Sequence, residues 1–442
     1  MRLARKVEVQ PTPTQRQSLL QHAGNARWAY NWGLRRKQEA WAERKALIEA
    51  GVDPLNAPKV PTAIDLHREL NALKKLPAEA GGVPWMYEAS KCAPQEALRA
   101  LDIAFQHFFR RVKAGEKPGH PRFKKRSRGV GGFRLTGAIT ATAQRVDLPR
   151  IGRMRIKPGD HGYLPAGVYG QISVTERAGR WYVAVLGQDT VEATSNGGPE
   201  VGLDLGVVRL ATLSDGTVFE NPNALAAGQR KIKRIQKEVC RKQRGSSNRR
   251  KARTRLARAY ARVANVRSNA LHQATTAIAK RYSKVVIEDL RVRNMTRSAR
   301  GTVDKPGKNV RAKAGLNRVV LDASFSEFSR MLKYKGALYG CKVVAVPPQY
   351  TSQRCSACGH TEAGNRRSQS EFVCASCGYE INADLNAAIN ILVAGSCPET
   401  INACGAGVRH SDPRIGTRPA MKQESAAEAV AGPFLTVSSN GE

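Results

Sequence analysis

The stretch Val201-Gly202-Leu203-Asp204-Leu205-Gly206-Val207-Val208-Arg209-Leu210-Ala211-Thr212-Leu213-Ser214-Asp215-Gly216 decides the fold. It holds two apolar runs of strand length, with one carboxylate, Asp204, near the end of the first. Gly206 permits a tight return, and Ser214-Asp215-Gly216 signals a turn before a third run, Thr217-Val218-Phe219. A carboxylate inside an apolar strand is costly unless something pairs with it. A metal ion meets that cost in phosphodiester-cleaving enzymes. A hairpin with a solvent-facing Asp is the plainer reading.

Two stretches further on weigh against the plain hairpin. Val285-Val286-Ile287-Glu288-Asp289-Leu290 is a second apolar strand with acids near its end. Asn382-Ala383-Asp384-Leu385-Asn386-Ala387-Ala388-Ile389-Asn390 places a third acid in the first turn of a helix, where the helix dipole favours the ionised form. A strand Asp, a strand Glu and a helix Asp follow the carboxylate order of RNase-H-like nucleases of the RuvC type. Strand parity leaves Asp289 as a rival to Glu288.

The 442 residues carry 73 basic and 36 acidic side chains, a formal charge of +37. Such an excess calls for a polyanionic partner, nucleic acid before an anionic membrane. No run of 18 apolar residues is present, so no span of a bilayer is expected. The basic start at Arg2, Arg5 and Lys6 is followed by Glu8, Pro11 and Pro13 rather than by an apolar segment, so no secretory signal is expected. Cytoplasmic location, beside the nucleoid when DNA is bound, follows. Nine cysteines, four of them in two C-x-x-C pairs, indicate a metal site in a reducing compartment rather than a disulfide framework.

Residues 2–9 alternate as a strand does, and Thr14 is the expected N-cap of a helix running to about residue 50. Trp28 and Trp32, four apart, read first as core packing and second as base-stacking platforms. Helices resume at 62–75 and 91–113. Strand patterns then run from Phe133 to Leu186, ending in a hairpin turned at Ala178-Gly179-Arg180. Together with residues 2–9 they suggest a small β-barrel with a helical module inserted. The loop holding Arg122, Phe123, Lys124, Lys125 and Arg126 is basic with one aromatic, a candidate phosphate contact. From Arg230 to Arg281 eighteen Lys or Arg residues accompany a single acid, Glu238, in two helices broken near Gly245. Their like charges need a polyanion, and Arg249, Arg250, Lys251 and Arg253 are the candidate contacts. Residues 293–315 have no periodicity and read as a mobile loop. Leu316–Tyr339 reads as one helix, Val343–Val346 as a strand, and 395–442 as largely disordered.

Cys355-Ser356-Ala357-Cys358 and Cys374-Ala375-Ser376-Cys377 are separated by fifteen residues. Two such knuckles make a tetrahedral, closed four-thiolate zinc site, which is structural rather than catalytic. Gly359 and Gly378 suit the tight turns.

Taken together the chain resembles the TnpB family, transposon-encoded RNA-guided nucleases related to the miniature type V CRISPR effectors. The resemblance rests on Arg27-Trp28-Ala29-Tyr30-Asn31, Pro121-Arg122-Phe123-Lys124-Lys125, Gly202-Leu203-Asp204-Leu205-Gly206, Ile287-Glu288-Asp289-Leu290, Tyr350-Thr351-Ser352-Gln353-Arg354 with the cysteine that follows, and Asp384-Leu385-Asn386-Ala387-Ala388-Ile389-Asn390. One departure is Asn382-Ala383 before Asp384, where the family carries Asp-Arg or a His-like lead.

The resemblance implies an α+β multidomain fold. An RNase-H-like (RuvC) nuclease domain would span 191–349 and 381–405, with a zinc ribbon at 350–380. Residues 1–13 and 114–190 would form the barrel, 14–113 the helical recognition module, and 406–442 a disordered tail. It implies RNA-guided cleavage of double-stranded DNA beside a short flanking motif. The carboxylates of Asp204, Glu288 and Asp384 would hold two Mg²⁺, and Cys355, Cys358, Cys374 and Cys377 one Zn²⁺. Partners would be a guide RNA derived from the transposon end and the target DNA, with Arg354 a further candidate phosphate contact. A miniature CRISPR effector, a nuclease-dead RNA-guided repressor and a structure-selective nuclease are the alternatives. The transposase label often given to the family is loose.

Overall fold

A computed structural model describes residues 2–190 and 196–396. The tail expected to be disordered, from residue 397 on, and residues 191–195 lie outside the described residues. The chain opens with β1 (Arg2–Gln10), followed by α1 (Pro13–Glu49), α2 (Ala63–Lys75) and α3 (Cys92–Lys113). The N-cap of α1 is Thr12, not Thr14. Pro13 fits the first helical position, and Thr12 forms a reciprocal capping box with Gln15.

The strands β2 (Gly132–Ala141), β3 (Arg145–Leu148), β4 (Gly152–Ile156), β5 (Gly167–Arg177) and β6 (Arg180–Thr190) join β1 in a closed barrel, ordered β1-β4-β3-β2-β5-β6. The first strand is the closing stave: Val9 pairs with Ile156 on one side and with Trp181 on the other. Alternate residues fill the interior, among them Val7, Leu135, Ile172, Val174 and Val183, all fully buried. Three helices therefore sit between the first and second strands of one barrel, as the sequence pattern suggested.

A second sheet follows: β7 (Glu200–Asp204), β8 (Arg209–Leu213) and β9 (Val218–Glu220), then the basic hairpin α4 (Ala224–Arg241) and α5 (Ser247–Arg281), then β10 (Lys284–Glu288). The single helix expected over Leu316–Tyr339 is two, α7 (Val310–Ala323) and α8 (Phe325–Tyr339), preceded by a one-turn α6 (Val292–Met295). Ser324 adopts φ +59° and breaks the run; helical periodicity does not register a single left-handed residue. The loop expected over 293–315 shortens accordingly to 296–309. The strand β11 (Lys342–Val346) completes a sheet ordered β11-β10-β7-β8-β9, with the first three parallel and the rest antiparallel. A small hairpin, β12 (Glu371–Val373) and β13 (Glu380–Asn382), leads straight into α9 (Ala383–Ser396). Among the described residues no helix is long and apolar enough to cross a membrane.

Both faces of this sheet are covered. Val201, Leu203, Val285 and Ile287 pack with Leu271, Ile278 and Phe328 of α5 and α8. Val286 and Val346 pack with Ile391 of α9 on the opposite face. α9 lies very close to the sheet. A Cβ added at Gly202 would lie 2.0 Å from the Ala388 carbonyl oxygen, and one at Gly395 would lie 2.4 Å from a methyl of Val286.

Candidate carboxylate and thiolate centres

Strand parity places the acids. Gly202 faces α9, so Asp204, two residues on, faces the same way. Val286 faces α9, and so does Glu288. Leu203 and Ile287 are partners in the parallel ladder, which sets Asp204 and Glu288 side by side one step beyond it. Asp289 has the other parity and is exposed. A small cavity beside Phe325 and Ser329 of α8 is lined by Asp289 and also by Glu288. Of the two acids, strand parity sets Glu288, not Asp289, beside Asp204.

Asp384 comes to the pair from the first turn of α9. Asn382 caps that helix: its Oδ1 accepts from the N–H groups of Asp384 (3.1 Å) and Leu385 (3.3 Å). The departure from the family's lead into this motif thus supplies a helix cap. The Asp204 carboxyl is pushed up to about 7 by burial, then by the negative charges of Glu288 and Asp384; Arg366 pulls it back. Burial also raises Glu288, opposed by the hydroxyl of Thr351, which donates to its Oε1 at 2.5 Å. A buried carboxyl raised by two neighbouring carboxylates belongs to a donor set that fits divalent cations.

Several partners escaped the sequence reading. Arg366, in the loop between the knuckles, brings Nη2 to 3.4 Å from Asp384 Oδ1. Asn386 and Asn390, one turn apart on α9, donate to the Arg354 carbonyl at 2.8 and 2.6 Å, and Asn390 also reaches the Thr351 carbonyl at 3.0 Å. They tie the segment that carries Thr351 to the helix that carries Asp384. The i, i+4 spacing of the two asparagines was the available signal.

The four cysteine sulfurs lie within 4.8 Å of one another, the only such His/Cys/Asp/Glu group among the described residues. Cys355 and Cys377 sulfurs are 3.8 Å apart, and Cys358 and Cys374 sulfurs 3.6 Å. A tetrahedral ion with metal–sulfur bonds of about 2.3 Å sets its sulfurs about 3.8 Å apart; a disulfide would need about 2.05 Å. The knuckles match. Gly359 N–H donates to the Cys355 carbonyl and Gly378 N–H to the Cys374 carbonyl, each at 3.0 Å, and both glycines have positive φ. N–H groups of Cys377 and Ser376 pull the Cys374 thiol down to about 6, while the surrounding sulfurs push Cys377 up to about 12. Four thiolates here need a cation, and the donor set suits zinc.

Of the candidate nucleic-acid contacts, Arg122 to Arg126 lie on an exposed loop docked against α1. Asn31 Oδ1 accepts from the Lys124 N–H at 2.7 Å, and its Nδ2 donates to the Lys124 carbonyl at 3.0 Å. Arg250, Lys251 and Arg253 are exposed on α5. Arg249 is half-buried and donates to the Lys242 carbonyl at 2.7 Å, so it closes the α4–α5 turn. Arg354 is exposed beside the first knuckle.

Three family descriptions match this chain: "Probable transposase" over residues 182–299, "Cas12f1-like, TNB domain" over 325–391 and "Helix-turn-helix domain" over 1–46. In this structure the last segment is β1 and one unbroken helix. "Putative RNA-guided DNA endonuclease InsQ" of Escherichia coli is 41% identical over 332 residues, covering 74% of this chain and 80% of its own length. "Putative RNA-guided DNA endonuclease" of Streptomyces pristinaespiralis is 32% identical over 432 residues, covering 95% of each chain. A "CRISPR-associated endodeoxyribonuclease Cas12f1" of Sulfoacidibacillus thermotolerans is 46% identical, but over 77 residues, 18% of its length. Relatives matched over most of both chains, at these identities, carry one conclusion: the chain belongs to the TnpB family.

Proposed function

We propose that this protein is an RNA-guided endonuclease that cleaves double-stranded DNA beside a short flanking motif. The observation that carries this reading is the convergence of Asp204, Glu288 and Asp384 on one face of the sheet, in a chain of charge +37. The kinship with two proteins named RNA-guided DNA endonucleases supports it. The mixed sheet, with its acids at two parallel strand ends and a helix start, supports an RNase-H-like (RuvC) reading of this domain. Asp204, Glu288 and Asp384 would hold two Mg²⁺, which when bound supply an activated water and neutralise charge at the leaving oxygen. Thr351 fixes the Glu288 carboxylate, Asn390 holds the Thr351 carbonyl, and Asn386 and Asn390 together hold the Arg354 carbonyl. Cys355, Cys358, Cys374 and Cys377 would hold one structural Zn²⁺.

Sequence specificity comes from base pairing to the guide, and the protein reads backbone shape and the flanking motif. Charge alone cannot choose a sequence. The match to the family described as "Probable transposase" favours a transposon setting over a CRISPR one. We take the domain limits as barrel 1–13 and 114–190, helical module 14–113, nuclease domain 191–349 and 381–405, and ribbon 350–380. The test is to assemble the protein with two different guides and map cut ends on a plasmid carrying both targets. Cuts should move with the guide and require RNA. Cuts that stay in place, or appear without RNA, overturn the guided reading.

A further inference from the structure

Three of the chain's five tryptophans line one groove of about 690 Å³ between α1, the 3₁₀ turn Pro84–Glu88 and the basic loop after α3. Trp28 and Trp32 lie nearly parallel, at 9° with ring centroids 6.0 Å apart, and Trp85 meets Trp28 edge-on at 5.9 Å. Trp28 and Trp32 are half-buried, packed against the core and lining the groove, and Trp85 is 40% exposed. Core packing, the first expectation for Trp28 and Trp32, is therefore half of their environment. Arg35, Lys124 and Lys125 also line the groove, and no acid does. Its cationic wall is fixed in place: the Asn31 amide clamps the backbone of Lys124, whose ammonium lies 3.9 Å from the centre of the Tyr30 ring.

The geometry points to this groove as a binding site for an unpaired, unstacked base of the protein's bound RNA, with the indoles as platform and the rim cations on its flanking phosphates. Aromatic faces left open beside cations suit a base whose own face is free. Duplex DNA keeps its base faces covered, whereas RNA loops and bulges splay theirs onto aromatic side chains. The inference rests on the RNA-binding part of the proposed function and adds the residues and the nucleotide state to it.

The test uses the full chain purified with its co-purifying RNA, irradiated at 254 nm and mapped by mass spectrometry. Nucleotide adducts on Trp28, Trp85 or Phe123 are expected. In parallel, the same RNA is titrated onto Trp28→Phe, Trp28→Leu and Trp85→Leu variants with unchanged circular dichroism melting. The Leu variants should bind about ten-fold more weakly with an unchanged salt slope, since no charge is lost, and Trp28→Phe should stay within about three-fold of wild type. Equal losses for Phe and Leu at position 28, affinity unchanged in both Leu variants, or adducts found only on a DNA strand in the ternary complex would overturn the assignment. A chain that carries no RNA at all would overturn the guided reading with it. RNA bound elsewhere would overturn this site alone.

Discussion

The guanidinium of Arg366 reaches 3.4 Å from the carboxylate of Asp384, so an arginine from the four-cysteine module stands at the edge of the three-acid cluster. Its charge opposes the effect that burial, Glu288 and Asp384 have on Asp204. A fixed cation there competes with divalent ions and offers a contact for a phosphate.

Arg366→Ala should lower the maximal cleavage rate about ten-fold or more and lower the half-saturating Mg²⁺ concentration, because the cluster becomes more negative. Arg366→Lys should recover part of the rate. The measurement is the cleavage rate across a Mg²⁺ titration. A half-saturating concentration that rises would mean that Arg366 acts by holding Asp384 in place.

Asp204→Ala should abolish cleavage while leaving RNA and DNA affinity within about three-fold, since the cationic surface is untouched. Glu288→Ala should be as severe, and Asp289→Ala much milder, because Asp289 is exposed and has the opposite strand parity. Gel-based cleavage rates beside filter-binding affinities decide it. An inactive Asp289→Ala with an active Glu288→Ala would reverse the assignment.

Elemental analysis should find about one zinc per chain. Cys358→Ser should reduce that content and lower the melting temperature of the C-terminal part. Full zinc content in a Cys358→Ser, Cys374→Ser double variant would place the ion elsewhere.

Gly202→Ala would put a methyl 2.0 Å from the Ala388 carbonyl oxygen and 2.6 Å from the Leu392 nitrogen. Backbone on both sides leaves α9 no option but to move, a cost of about 1–3 kcal/mol or more. Cleavage should fall further than that loss of stability explains, because Asp384 moves with the helix. Denaturant unfolding and single-turnover cleavage, measured together, test this. A variant with normal cleavage would show that the helix position is not critical.

Lys335 of α8 is buried against α5, donating to the His272 carbonyl at 2.7 Å and to the hydroxyls of Thr275 (2.8 Å) and Thr276 (2.6 Å). Burial lowers it from 10.5 to about 8. Between those values the unfolded chain holds a proton that the folded chain has released, so this residue's contribution makes stability rise with pH, by up to about 1.4 kcal/mol per pH unit. Below about pH 8 the cost of burying the charge is present in full. Lys335→Met should therefore show a flatter stability profile than wild type from pH 8 to 10 in urea titrations. Parallel profiles would mean that Lys335 keeps its proton throughout.

Much of the plan was legible because it rests on periodicity and spacing. The β7 and β10 runs, the helix carrying Asp384 and the paired knuckles all announce themselves within a few residues. What was not legible depends on single conformations or on distant meetings. Ser324 breaks a helix that its neighbours' pattern continues, and Thr12 rather than Thr14 caps α1 because Pro13 fixes where the helix begins. The parity of Glu288 against Asp289 required knowing which sheet face α9 covers. Arg366 meets Asp384 only through the fold of the ribbon hairpin, and no local pattern marks it among its many fellow cations.

The position of α9 has a consequence for synthesis. Asp204 and Glu288 emerge from the ribosome long before Asp384, and β7 and β10 can pair while the ribbon is still being made. A chain stopped anywhere before residue 383 would own the complete barrel, the helical module and the basic hairpin, but only two of the three acids. Such a fragment would keep those cationic surfaces but lack the third carboxylate, and would bare the sheet face at Val286 and Val346 that Ile391 of α9 covers.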